Sequence, residues 1–207
     1  MIILGVTGSV GMGKTEAGKC FIKNNIDVFD CDKEIAAFYN KKETIVEIKK
    51  KFPSTIFNNK VDKNALANIV FNDKEKLNFL EELLYKKLQA KQSFWLRKKI
   101  REKKKLLVFD VPLLFEKDNI KKYDMVVVLS CNKDLQKRRV LKRQGWSEER
   151  YKKTMKEQIP DYIKRTLADI IIKSDRGKRY LYQEIIKIIK EVKNKKNRKI
   201  DDILKEF

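Results

Sequence analysis

The sequence predicts a three-layer α/β fold built on a five-stranded parallel sheet, and three observations carry that expectation. Five short apolar runs rich in β-branched residues are separated by helical patterns, as buried parallel strands are. The first run passes through a glycine-rich turn straight into a helix-like stretch. The chain has 207 residues, 42% of them apolar, enough for one such core with an insertion.

The first strand is Ile2 to Val6, and the helix after its turn runs from Lys14 to about Lys23. A second strand, Ile26 to Phe29, is followed by about seventy residues without a strand pattern, far more than a crossover helix needs. Residues 33–105 therefore read as an inserted helical lobe, whose Leu77, Leu80, Leu83, Leu84 and Leu88 recur at helical spacing as a core-facing stripe. Strands Leu106 to Phe109 and Met125 to Leu129 follow. A helical, strongly basic arm then covers residues 133–165 and holds Arg138, Arg139, Arg143, Arg150, Lys164 and Arg165. The strand Ile170 to Ile172 completes the sheet. An amphipathic helix through Leu181, Ile185, Ile188, Ile189 and Val192 comes next, and residues 191–207 read as a lysine-rich tail that frays. The core is thus assigned to residues 1–32, 106–132 and 166–190 of a single chain.

Composition narrows the chemistry. Only 7 Gly and 3 Pro exclude collagen-like and proline-rich linker chains. The formal charge of +21 points to an acidic partner, phosphates first. The lysines are scattered rather than gathered on one element, so a nucleic-acid surface is not expected. Cys20, Cys31 and Cys131 are odd in number and far apart, which supports neither a disulfide framework nor a CxxC site. With no histidine, His-based catalysis and His-containing zinc sites are excluded, and carboxylates and lysines must carry the chemistry. No signal peptide or membrane-spanning run is read, so a cytoplasmic chain is expected.

The sharpest motif is Gly8-Ser9-Val10-Gly11-Met12-Gly13-Lys14-Thr15, a complete G-x-x-x-x-G-K-[ST] between a strand and a helix. Its glycines let backbone N–H groups converge on phosphate oxygens at a helix N-terminus. Lys14 neutralises the β and γ phosphates, and the Thr15 hydroxyl helps hold Mg²⁺. Asp30 and Asp32 end the second strand, where open α/β sheets place their ligand crevices. Asp32 fits two roles equally on spacing: the carboxylate that accepts a proton from an attacking alcohol, or the N-cap of the helix starting near Lys33. Asp110 closes the LLVFD strand as a Mg²⁺ partner or as a strand-end turn residue. Arg139 and Arg143, four apart, are read as one helix face that clamps phosphates.

Together these segments resemble the dephospho-coenzyme A kinases. The resemblance runs from Ile3 to about Ile189 through LGVTGSVGMGKT, VFDCDKEIA, VDKNALANIVFNDKEKLNFLEELL, VFDVPLLFE, QKRRVLKRQGWSEE and KRTLADIIIKSDRG. It implies a phosphate-loop kinase fold with a helical substrate lobe and a basic lid. The implied reaction is ATP-dependent, Mg²⁺-assisted phosphorylation of the ribose 3′-hydroxyl of dephospho-coenzyme A. It further implies Asp32, Lys14 and Arg139 as catalytic residues, and Gly8 to Thr15 with Arg139 and Arg143 around ATP. Thr15, Asp30 and Asp110 would serve the metal, and Thr7, Asp32, Lys63, Tyr85 and Leu113 the acceptor. Three positions depart from the family pattern: Tyr85-Lys86 stands where a His-Pro pair is common, Lys63 where Arg is usual, and Ser174 where Asn is usual. The expected partners are ATP and dephospho-coenzyme A, with no nucleic acid or membrane, and a monomer or weak homo-oligomer. The alternatives are a kinase for a nucleoside monophosphate or another small alcohol, and a nucleic-acid-binding NTPase.

Overall fold

The computed structural model describes residues 1–117, 119–193, 195 and 198–207, which form two compact units, residues 1–30 with 99–207, and residues 31–98.

The first unit is built on a parallel sheet of β1 (Ile2–Thr7), β2 (Asp27–Asp30), β5 (Leu106–Asp110), β6 (Met125–Ser130) and β7 (Ile170–Lys173), in the order β2-β5-β1-β6-β7. β1 is buried along its whole length, as a central strand without charged residues is when helices cover both faces. The register pairs Ile2 with Leu106 and Leu4 with Val108, so alternate residues build one continuous apolar face that ends where Val6 pairs with Asp110. Helices α1 (Lys14–Lys23) and α9 (Lys178–Lys193) cover that face. Ala17 and Phe21 come from the first, and Leu181, Ile185, Ile188, Ile189 and Val192 from the second, which is the stripe read from the sequence.

The opposite face is closed by residues that the sequence reading left without a role. A Cβ on Gly5 would lie 2.7 Å from Leu114 and 2.8 Å from Tyr123, so the chain after β5 lies directly on β1. The last element, α10 (Ile200–Glu206), buries Ile203 completely and sets the Phe207 ring 4.8 Å from Phe109 and 6.1 Å from Tyr123. Arg198 fastens this segment through the Lys121 and Lys122 carbonyls and an ion pair with Asp124. The expected fraying tail is thus a docked helix at residues 200–206, while residues 194, 196 and 197 lie outside the described residues.

The basic arm consists of three helices, α6 (Lys133–Leu141), α7 (Glu148–Glu157) and α8 (Asp161–Thr166). Gly145, at φ 75°, turns the chain out of α6, Ser147 caps α7 by accepting from the Arg150 N–H, and Pro160 opens α8. The Ser130 hydroxyl donates to the Asp161 carboxylate at 2.8 Å, tying the start of α8 to the end of β6.

The second unit consists of α2 (Cys31–Phe38), α3 (Lys42–Lys51), a ribbon of β3 (Ile56–Phe57) and β4 (Lys60–Val61), α4 (Lys63–Phe71) and most of α5 (Lys74–Arg101). The ribbon corrects the expectation of a purely helical insertion. Asn58 and Asn59 both adopt positive φ, 46° and 56°, the geometry of a tight two-residue hairpin turn. Asp62 caps α4 by accepting from the Asn64 and Ala65 N–H groups. Leu80, Leu84 and Leu88 of the expected leucine stripe are buried, and Gln92 and Leu96 extend it. Among the described residues no helix is long and apolar enough to cross a membrane.

Candidate active site

Parallel strands present their carboxyl ends on one edge, and the loop of residues 8–13 leaves β1 on that edge. Gly8 has φ 146°, and a Cβ there would lie 2.5 Å from the Leu129 carbonyl oxygen. Gly11, at φ 82°, would place a Cβ 2.7 Å from Val140. Both positions therefore exclude side chains, and the loop packs backbone-first against β6 and α6. The Met12 N–H donates to the Ser9 carbonyl at 3.1 Å, closing the turn, and Gly13 leads into α1 from the left-handed region. The first N–H groups of α1 have no intrahelical acceptor and carry the positive end of its dipole, so the loop ends as an anion site. Lys14 reaches back across it, its ammonium donating to the Gly8 carbonyl at 2.7 Å. Thr15 follows in the first turn with an exposed side chain.

Asp30 and Asp110 are register partners at the ends of β2 and β5. Paired residues point to the same face, so both carboxylates continue the Val28–Val108 row that α1 covers, one residue beyond its apolar part. Two anions side by side next to a phosphate-binding helix suit a hard cation that also takes phosphate and water oxygens. Among the described residues no cluster of three or more acidic or Cys groups could cage a metal by itself.

Asp32 stands two residues beyond Asp30, inside the first turn of α2. That helix begins at Cys31, directly at the strand end. The N-cap reading, which needed the helix to start near Lys33, does not hold.

Arg139 and Arg143 are not on one helix face. α6 ends at Leu141, and Arg143 lies exposed in the turn that precedes Gly145. The Arg139 guanidinium donates to the Ser174 hydroxyl at 2.9 Å, the Ser174 carbonyl at 3.1 Å and the Gly11 carbonyl at 3.4 Å. Ser174 is buried after β7 and lies 3.2 Å from where a Gly13 Cβ would be, so a smaller residue than the Asn usual in the pattern seats Arg139 against the loop.

The remaining predicted residues fall in different places. Thr7 is fully buried and its hydroxyl donates to the Pro112 carbonyl at 3.3 Å, while Leu113, on the same turn after β5, is 38% exposed. In the second unit Lys63 opens α4 with its ammonium 5.0 Å from the centre of the Tyr39 ring, and Tyr85 is 37% exposed on α5. Cys131 donates its N–H to the Met12 sulfur at 3.2 Å, and burial pushes its thiol above the usual range, so it serves packing and not thiolate chemistry.

Two glutamines escaped the motif reading. The Gln136 amide donates to the Val10 carbonyl at 2.8 Å, and the Val10 N–H donates to the Gln158 amide oxygen at 3.2 Å. Neutral amides 126 and 148 residues from the loop carry no spacing signal, although Gln136 opens the QKRRVLKRQGWSEE segment.

A family profile described as dephospho-CoA kinase (CoaE) matches residues 2–179. The dephospho-CoA kinase of Bartonella quintana is 34% identical over 192 residues, covering 93% of this chain and 98% of that protein. Two solved structures, each 27% identical and covering 92% of this chain and 96% of theirs, superpose on it. They are the Thermus thermophilus protein TT1252, with a TM-score of 0.81, and the Campylobacter jejuni dephospho-CoA kinase, with 0.68. With a phosphate loop on a five-stranded parallel sheet and a profile match over most of its length, the chain belongs to the dephospho-CoA kinase family.

Proposed function

We propose that this chain transfers the γ-phosphoryl group of ATP to the ribose 3′-hydroxyl of dephospho-coenzyme A, giving coenzyme A and ADP. The observation that carries this reading is the family match over residues 2–179, joined to a phosphate loop that Lys14 spans at the head of α1. The loop from Gly8 to Thr15 binds the ATP phosphates through its N–H groups. Lys14 exchanges the Gly8 carbonyl for β- and γ-phosphate oxygens. Arg139 lies against the loop and adds charge there; Arg143 reaches ATP only from the turn after α6.

Asp32 accepts the proton of the 3′-hydroxyl as its oxygen attacks the γ-phosphorus. The bond from that phosphorus to the β–γ bridging oxygen breaks, and ADP leaves. Thr15, Asp30 and Asp110 would hold Mg²⁺, which when bound neutralises charge on the phosphates. Residues 33–105 form the acceptor lobe, with Lys63 and Tyr85 among its contacts, and Thr7 and Leu113 serve the acceptor from the sheet side. The lid of residues 133–165 keeps water from the γ-phosphate. Three free cysteines fit a reducing cytoplasm, and the chain acts as a monomer or weak homo-oligomer.

ADP release from Mg·ATP tests the reading. It should require dephospho-coenzyme A and fail with nucleoside monophosphates, simple alcohols and single-stranded nucleic acid. Turnover only with another acceptor discards the substrate assignment, and stimulation only by nucleic acid discards the kinase assignment.

A further inference from the structure

We propose that Gln136 and Gln158 are positioning residues, a pair of amides by which the lid holds the phosphate loop in its anion-binding shape before ATP arrives. The inference rests on the ATP role proposed for that loop. Val10 is the residue they grip. Its N–H donates to Gln158 at 3.2 Å and its carbonyl accepts from Gln136 at 2.8 Å. A backbone N–H only donates and a carbonyl only accepts, so each glutamine has one workable orientation. Gln136 is 1% exposed, and its own amide oxygen accepts from the Tyr151 hydroxyl at 3.4 Å, so both ends of that amide are engaged. Gln136 belongs to α6 and Gln158 to the link before α8, so two parts of the lid converge on Val10, and Tyr151 of α7 braces the first of them.

The consequence follows from peptide planarity. The Val10 carbonyl and the Gly11 N–H share one trans peptide plane and point in opposite directions. Holding the carbonyl toward Gln136 therefore aims the Gly11 N–H away from α6. A loop with glycines at 8, 11 and 13 otherwise has many conformations, and ordering each residue opposes binding. With the order installed by the lid, ATP meets a loop already shaped for it. The amides then govern ATP affinity without being assigned any contact with phosphate, and they leave acceptor binding alone.

The test uses the full chain with Gln158→Met, which removes the acceptor at similar volume. Amide exchange at Val10 is measured without ATP, and KM is measured for Mg·ATP and for dephospho-coenzyme A. The expected result is faster Val10 exchange, a KM for ATP raised roughly three- to tenfold, an unchanged KM for the acceptor and a melting temperature lowered by no more than about 4 °C. Gln158→Glu still presents an acceptor oxygen and restores Val10 protection. Gln136→Met, which deletes the donor to the carbonyl, should give the same KM pattern. Unchanged Val10 exchange in Gln158→Met overturns the contact. Lost protection with an unchanged KM for ATP, or a parallel rise in both KM values, overturns the positioning role. Because exchange is read on the ATP-free chain, it decides the clamp by itself; a wild-type chain with no ATP turnover would instead sink the proposed function.

Discussion

Lys164 is the one charged side chain with no exposed surface among the described residues, and it makes a sharp energetic prediction. Its ammonium lies 2.7 Å from a Glu116 oxygen, and Glu116 is itself only 11% exposed. The same oxygen accepts from the Ile159 N–H at 2.9 Å, so Glu116, six residues past β5, holds the link between α7 and α8 as well as α8. Glu116→Gln keeps an oxygen for the Ile159 N–H but removes the countercharge, leaving a buried ammonium without compensation. Breaking a buried pair from one side costs about 3–5 kcal/mol, whereas replacing both partners with apolar residues of similar size is often near neutral. For a chain of this length, about 2–4 °C of melting temperature goes with each kcal/mol, so Glu116→Gln should melt roughly 6–20 °C lower. Glu116→Gln with Lys164→Met, which keeps the Ile159 acceptor and removes the buried charge, should recover most of that loss, with a coupling of at least about 2 kcal/mol in a double-mutant cycle. Thermal and urea unfolding followed by circular dichroism measure it. A Glu116→Gln loss below about 1 kcal/mol, or losses that simply add, would refute the buried-pair argument.

Other expectations separate chemistry from folding. Asp32→Asn should lower kcat by about 10²–10⁴ with ATP affinity nearly unchanged, whereas Lys14→Ala should weaken ATP binding and turnover together; single-turnover kinetics distinguishes them. Phe207→Ala, which removes the ring packed on Phe109 and Tyr123, should cost about 1–3 kcal/mol in thermal unfolding and leave KM values alone. Burial alone would raise the Asp27 carboxyl, but Lys99 at 2.7 Å and Lys104 at 2.9 Å outweigh it and hold its pKa below the ordinary carboxylate value. A group depressed in the folded state stabilises above its unfolded pKa of about 4, and that contribution is lost as pH falls through the folded value. Asp27→Asn should therefore lower the melting temperature at pH 7 and approach wild type under acid; an equal difference at all pH values would contradict the ion pair.

What was legible in the sequence was what short-range patterning encodes. The five apolar runs became the five sheet strands, and the loop from Gly8 to Thr15 lies between strand and helix because its glycines and Lys14 are local requirements. The stripes on α5 and α9 were legible for the same reason. The hairpin at residues 56–61 was overlooked because two-residue strands have no periodicity, although the Asn58-Asn59 pair is its turn signal. The docked end of the chain was hidden by flanking lysines: Ile203 and Phe207 are isolated apolar residues, and the rings on which Phe207 packs, Phe109 and Tyr123, lie far back in the chain. Arg143 was misplaced because four-residue spacing implies one face only while the helix lasts, and α6 stops at Leu141. Gln136 and Gln158 acquire meaning only when folding brings Val10 to them.

The central claim is a phosphoryl transfer to one defined oxygen, and the most direct measurement is the structure of the product. The purified chain with Mg·ATP and dephospho-coenzyme A, followed by phosphorus NMR and mass spectrometry, should give one new phosphomonoester on the ribose 3′-oxygen for each ADP formed. ADP accompanied by free phosphate, or a phosphate on any other oxygen, would contradict the account.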